Sequence, residues 1–326
     1  MDFVSQLILG AVVTVALLGR RMPVWQAALV GVVCGTLPDL DMFIDRGDAI
    51  SNMTQHRTES HSLLWLTLIS PLLACLLWRI FRQPSAFARW WTAVWLALMT
   101  HPLLDLTTIY GTQLALPFTD RPFAIGCMSV TDPLYTLPLL VGLIAALIWR
   151  NRKGWRCNSS GLIFSCLYLA WSMAAQTWVI HVAHRQLLMH HGDVRQLLVT
   201  PTAFNTLQWR IMVVTPESYL EGFYSLLNPL KPLVLSTHAR GWELYQQYSA
   251  NQYVQRVAWF SRGFFAMKKV GNRVEITDLR IGEEAAYPFS FDLGTEPLEE
   301  TPGKPERVSF KRLPLRKALD KLWSRF

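Results

Sequence analysis

The sequence predicts a membrane all-α helical bundle of about six apolar helices, followed by a small α+β extramembrane domain. Three observations carry that reading. Of 326 residues, 51% are hydrophobic and only 17% are Asp, Glu, Lys or Arg, an unusual balance for a soluble enzyme. The apolar residues gather into long runs with few charges inside them, as crossing a hydrocarbon core requires. From about His181 those runs give way to mixed polar and aromatic sequence, rich in β-branched residues and broken by prolines.

The runs can be taken in order. Phe3–Leu18 has no basic region before it, and Arg20 and Arg21 follow it, the wrong side for a signal peptide. It therefore reads as a retained helix. Trp25–Leu37 is short against the roughly 20 residues a span needs, so it is either tilted or ends part-way at Pro38. Leu63–Ile80, Trp91–Thr108, Leu134–Trp149 and Leu162–Ile180 complete the set. Basic residues crowd alternate connectors: Arg20 and Arg21, then Arg79, Arg82 and Arg89, then Arg150, Arg152, Lys153 and Arg156. The other two connectors hold only Arg46, Arg57 and Arg121. By the positive-inside rule the first set faces the cytoplasm of a multi-pass inner (plasma) membrane protein. The segment around Asp39–His61, the end of the fourth run and the C-terminal region then share the opposite side.

In the C-terminal region, Leu197–Thr200, Leu207–Val214 and Tyr219–Leu226 read as strands. Ser236–Phe260 reads as a helix with Ser236 or Thr237 as its N-cap. Phe264–Lys269 and Arg273–Leu279 flank Val270-Gly271-Asn272 as a hairpin, and Tyr287–Asp292 adds a strand. Glu296–Arg307 is Pro-rich and charged, hence a linker. Leu313–Phe326 reads as a basic amphipathic helix, suited to a membrane surface or to packing on its own domain. The divisions are 1–182 for the membrane domain, 183–295 for the α+β domain, and 296–326 for linker and tail.

Composition also excludes functions. The net charge of +8 is spread through short loops instead of forming one basic face, which argues against a nucleic-acid partner. The five cysteines form no CxxC pair and read as packing residues. No phosphate-binding glycine loop and no G-x-S-x-G elbow stands in a suitable context.

The chemistry gathers between residues 36 and 63. Asp39 and Asp41 follow Pro38; His56 and His61 bracket Arg57 and Ser60. Asp in such a place can be mere turn chemistry. But two carboxylates at i and i+2 of an extended segment point the same way, and like charges at a low-dielectric boundary need a cation. His101 and Asp105 stand at i and i+4, one face of a helix. Asp with neutral His suits a divalent metal, zinc first, then manganese or magnesium. Asp39, Asp41, His56, His61, His101 and Asp105 are therefore the candidate ligands, enough for one or two ions. Arg57 offers a planar donor for an anionic substrate oxygen, against the bland reading of a headgroup anchor. His181, His184, His190 and His191 read as interfacial residues, and the polar residues Asn205, Trp209, Arg210, Glu221 and Tyr224 as ordinary strand packing.

The order PDLD, HRTESHS, then HPLLDLTTIYGTQLALPF resembles the YdjM-type family of membrane-bound, predicted metal-dependent hydrolases. That family's pattern is similar to P-D-x-D, H-R-x-x-T-H-S and H-x-L-L-D, followed by T-x-Y-G and a P-F pair. Ser60 stands where Thr is commoner, which keeps the hydroxyl. The likeness covers about Leu7–Phe118, and VTPTAFNTLQWR, LEGFYSLL and TDLRIG are similar to longer members with an extra C-terminal domain. It implies metal-dependent hydrolase activity carried on the six candidate ligands. The expectation is hydrolysis of an ester or phosphoester of a membrane lipid by a metal-activated water, with Arg57 steadying the anionic oxygen and Tyr110 donating a hydrogen bond. Two other readings stand beside it: a divalent-metal transporter or sensor without hydrolysis, and a metal that only staples loops together.

Overall fold

A computed structural model describes residues 1–82, 86–190, 196–284, 286–298 and 303–309; of Met189 and His190 it describes the backbone alone. His191 and the tail helix expected at Leu313–Phe326 lie outside the described residues. The chain forms two units. One comprises Met1–Phe43, Arg57–Ala174 and Ala203–Asn205, the other Ile44–His56, Ala175–Thr202 and Thr206–Phe326.

All six predicted runs appear as helices: α1 (Phe3–Leu18), α2 (Val24–Thr36), α4 (Leu63–Phe81), α5 (Phe87–Leu106), α6 (Pro133–Trp149) and α7 (Arg152–His190). Two of them, Leu63–Phe81 and Arg152–Leu188, are long and apolar enough to cross a membrane. Phe3–Leu18, Val24–Thr36 and Pro133–Trp149 are apolar but shorter. Exposed apolar side chains such as Leu72, Ile148 and Phe164 stand on α4, α6 and α7, as surfaces meant for lipid do.

Local chemistry sets the helix starts. The Asp2 carboxylate accepts from the Ser5 N–H at 3.0 Å to cap α1. Ser62 caps α4, and Asp132 caps α6 with Pro133 in its first turn. Helices α1 and α2 meet through glycine: a Cβ on Gly10 would lie 2.2 Å from the Gly31 carbonyl oxygen, and one on Gly31 2.1 Å from that of Gly10. Only bare backbone permits this approach, the small-residue device of membrane helix pairs. Buried between the helices are Val12, Leu18, Trp90, Leu98 and Leu139, and Asn158 of α7 donates to the Val12 carbonyl at 2.9 Å.

In the second unit the strands form two antiparallel sheets. The first has the order β1 (Gln196–Pro201), β2 (Gln208–Val214), β3 (Ser218–Ser225), β4 (Leu235–Ala239). The second has β5 (Phe265–Val270), β6 (Arg273–Asp278), β7 (Ser290–Thr295), β8 (Glu306–Arg307). Val179, Ala183 and Leu187 of the distal part of α7 pack with Trp209, Ile211 and Val213 of β2. A short helix α3 (Ala49–Thr54) packs on α9 (Gln252–Phe260) in this unit.

The helix expected over Ser236–Phe260 is broken. Ser236 and Thr237 lie in β4, paired with β3, so neither caps a helix. Gly241 then turns the chain at φ +71, where a Cβ would collide with the Met267 carbonyl oxygen at 1.9 Å. Only after it come α8 (Trp242–Gln247) and α9, capped by Asn251. The hairpin at Gly271-Asn272 forms as expected, with Val270 opposite Arg273. The Tyr287–Asp292 strand is shifted to Ser290–Thr295, and part of the expected linker, Glu306–Arg307, pairs with β7.

Candidate metal centre

The chain does not run extended after α2. Pro38–Phe43 is a 3-10 turn. At three residues per turn, side chains two apart diverge by roughly 120°, whereas in a strand they would align. A carboxylate oxygen of Asp39 still lies within 4.8 Å of one of Asp41, so the turn brings the two carboxylates together where an extended segment was expected.

Asp39 joins His61, His101 and Asp105, all buried, with one ligand atom of each lying within 4.8 Å of the others. His61 comes from a 3-10 turn at Glu59–His61; His101 and Asp105 share a face of the last turns of α5. His61 Nε2 lies 3.1 Å from His101 Nε2, 3.5 Å from Asp39 Oδ1 and 3.3 Å from Asp105 Oδ2. His101 Nε2 lies 3.4 Å from Asp39 Oδ1 and 3.5 Å from Asp105 Oδ2.

Hydrogen-bond logic settles which ring nitrogens face the centre as lone pairs. His101 Nδ1 is 2.6 Å from the Gly35 carbonyl oxygen, which can only accept, so Nδ1 carries the proton. Ser60 Oγ donates its one proton to Asp41 Oδ2 at 2.7 Å, so it must accept from His61 Nδ1 at 2.9 Å. In neutral imidazoles both Nε2 atoms are then bare, aimed at each other and at two carboxylates. Burial pushes the Asp39 carboxyl up, but donation from His101 and His61 outweighs it and holds the group well below the usual carboxylate range. Such donation needs protons on Nε2 beyond those that neutral rings possess. The point where the four groups meet thus demands positive charge, an extra proton or a metal cation.

The spacing fits the second. Four N and O donors each roughly 2.0–2.1 Å from a tetrahedral cation stand roughly 3.3–3.4 Å apart, and the measured separations run from 3.1 to 3.5 Å. The cluster can hold a metal ion.

Surrounding groups orient the donors. Gln6 of α1 donates to Asp105 Oδ1 at 3.1 Å and to the His101 carbonyl at 3.2 Å. The Met1 amino group also contacts Asp105 Oδ1. Arg57 Nη2 lies 3.1 Å from Asp105 Oδ1, while Arg57 Nε and Nη1, buried, have no hydrogen-bond partner among the described residues. The Arg57 guanidinium stacks 4.9 Å over the Tyr110 ring, which gives Tyr110 a packing role in addition to the donor role expected of it. Arg57 has φ +67, held by the loop after α5: the Gln113 N–H donates to the Arg57 carbonyl, the Leu63 N–H to that of Leu114, and Ser62 Oγ to that of Leu116. The Thr112–Phe123 bridge closes that loop.

Asp41 and His56 are not among the four. Asp41 Oδ2 accepts from Ser60 and, at 2.9 Å, from the Arg57 N–H; His56 is half-buried in the Ile44–His56 segment of the second unit. His181 and His184 are exposed on α7. Three contributors escape sequence reading of the ligands. Gln6 leaves a trace, a lone amide in an apolar run, and Ser60 another, a hydroxyl between two histidines. Gly35 acts through its carbonyl and leaves none.

The geometry defines a buried Asp/His cluster suited to a cation, in a chain with two helices long and apolar enough to cross a membrane. The sequence model of the YdjM inner membrane protein family matches residues 1–179, and the chain belongs to that family. It is also similar to the uncharacterized protein YfhP of Bacillus subtilis (strain 168), at 24% identity over 220 residues, 66% of this chain and 64% of that protein. The match thus spans less than two thirds of that relative's length. No solved structure matches the chain.

Proposed function

We propose that this protein is a membrane-bound metal-dependent hydrolase acting on an ester or phosphoester of a membrane lipid. The observation that carries it is the convergence of His61 and His101 ring nitrogens with the Asp39 and Asp105 carboxylates. Zinc suits that mixed N/O set best, with manganese or magnesium next. A cation there supplies Lewis acidity and an activated water. The chain's own residues do the rest. Gly35 and the Ser60–Asp41 pair fix the two rings, and Gln6 and Arg57 hold Asp105. The unpartnered Arg57 Nε and Nη1 donors face an anionic oxygen of the substrate. His56 and Asp41 remain proposed as ligands to a second ion. The site end of the helices and the C-terminal domain are assigned to the non-cytoplasmic side, which a C-terminal reporter active only in the cytoplasm would overturn.

Metal analysis of detergent-purified protein beside Asp39→Ala, with hydrolysis of a panel of lipid esters and phosphoesters, tests this reading. Stoichiometric metal in the wild type, depleted metal in Asp39→Ala, and turnover by the wild type alone are expected. Near-complete burial of His61, His101 and Asp105 favours a second reading, a metal that joins helix ends without turnover. Metal without hydrolysis across the whole panel would select it, or the metal transporter or sensor.

A further inference from the structure

At the other end of α1 and α2 from the Asp/His cluster lies a cavity of about 430 Å³ lined by Arg20, Arg21, Pro23, Val24, Trp25, Arg150 and Trp155, among others. Helix α1 links the two places: Gln6 touches Asp105, and Leu18 ends the helix just before Arg20, roughly 18 Å farther along at 1.5 Å per residue. The three guanidiniums come from two connectors distant in sequence, and no carboxylate lines the cavity. None of the three makes an ion pair among the described residues. All three are exposed, so water screens part of their repulsion, and an anion that meets them relieves the rest.

Further features suit an anion with several acceptor oxygens. Arg20 lies 5.5 Å over the Trp155 ring, which orients its fork. The Trp155 indole N–H is buried and does not open on the cavity, so the ring serves through its face. Helix α2 begins at this cavity with Pro23 as its N-cap and no side-chain cap, so the Val24 and Trp25 N–H groups face out with the positive end of the helix dipole. Trp25 and Trp155 flank the arginines, as aromatic residues do at headgroup depth.

We propose that this cavity is a phosphate-binding site, and that in this membrane protein the phosphate is that of an anionic phospholipid headgroup. The inference is independent of the hydrolase reading, since it uses none of the Asp/His residues.

The test titrates full-length protein in detergent with dihexanoyl phosphatidylglycerol, dihexanoyl phosphatidylcholine and inorganic phosphate, followed by tryptophan fluorescence. Saturable one-site binding of phosphatidylglycerol is expected, with phosphatidylcholine not saturating. The Arg20→Gln/Arg150→Gln variant should weaken phosphatidylglycerol binding at least about tenfold, because bidentate charge-assisted contacts are lost. Trp155→Leu removes the ring beneath Arg20 and serves if the double variant does not fold; it should weaken binding by a smaller factor. Equal binding of the two lipids, or unchanged affinity in the folded variants, overturns the site. Inorganic phosphate that binds as tightly as phosphatidylglycerol and blocks it overturns the lipid assignment.

Discussion

Each unit buries an arginine against a carboxylate, and the two arrangements differ in what they leave over. In the second unit Arg210 Nε meets Glu221 Oε1 at 2.6 Å, Nη1 reaches the Leu279 and Arg280 carbonyls, and Nη2 reaches the Tyr287 hydroxyl at 3.1 Å. Burial pushes the Tyr287 phenol up, so it stays protonated and passes its own proton toward Glu221. Every nitrogen of that guanidinium is engaged. In the first unit Arg57 spends one nitrogen on Asp105 and keeps two buried donors without hydrogen-bond partners among the described residues, beside two imidazole Nε2 atoms 3.1 Å apart. A network whose donors and acceptors balance holds a fold together. One that leaves matched vacancies of both kinds is shaped for something that arrives.

The largest effect should come from breaking that imbalance. Asp105→Asn removes a ligand charge and leaves Arg57 buried with no counter-charge, a loss of about 3–5 kcal/mol for a broken buried pair. Metal analysis should find the site depleted, and the melting temperature in detergent should fall. Full metal occupancy in this variant would remove Asp105 from the ligand set.

The same operation on the other network should be reversible. Arg210→Met alone leaves Glu221 stranded at a similar cost of about 3–5 kcal/mol, while Arg210→Met/Glu221→Leu should recover most of it, because an apolar pair of similar volume replaces a buried ion pair nearly neutrally. Metal content should stay unchanged in both. A double variant as unstable as the single, or one that loses activity, would show that the second network does more than hold its sheets.

How much of this contrast was legible beforehand depends on which residues carry it. The six helices were, because apolar runs of such length leave few alternatives. So was the i, i+4 pairing of His101 with Asp105, which needs only helical periodicity. The turn that carries Asp39 and Asp41 was not, because an extended segment and a 3-10 turn suit the same short string after Pro38. Nor was β4: Leu235–Ala239 gains its conformation from pairing with β3, a contact that local propensity does not encode. The Gly35 carbonyl that sets the His101 tautomer belongs to the backbone, and any residue there would offer one.

Arg57→Lys comes next in size. Lysine keeps the charge facing Asp105 and pays the same strain at φ +67, so metal and folding should survive. A single ammonium cannot reproduce the fork, and losing donors to developing charge costs about 3 kcal/mol, about a hundredfold or more in turnover. Equal rates at equal metal occupancy would reduce Arg57 to a partner of Asp105, and the two networks would then differ less than their geometry suggests.

The finest test concerns Ser60, which is not itself one of the four converging groups. Its hydroxyl gives its proton to Asp41 and takes one from His61 Nδ1, so it decides which nitrogen of His61 is bare. Ser60→Ala deletes that acceptor. The ring is then free to carry its proton on Nε2, where it blocks the donor, and metal affinity should fall about 10–100-fold as for other groups that orient a ligating imidazole. Ser60→Thr keeps the hydroxyl and should bind like the wild type, whereas Asp41→Asn should lie between, because the amide can turn its oxygen toward Ser60 with less charge. Metal titration against a competing chelator reads all three. If Ser60→Ala binds as tightly as Ser60→Thr, the tautomer is set by the centre itself and not by its surroundings.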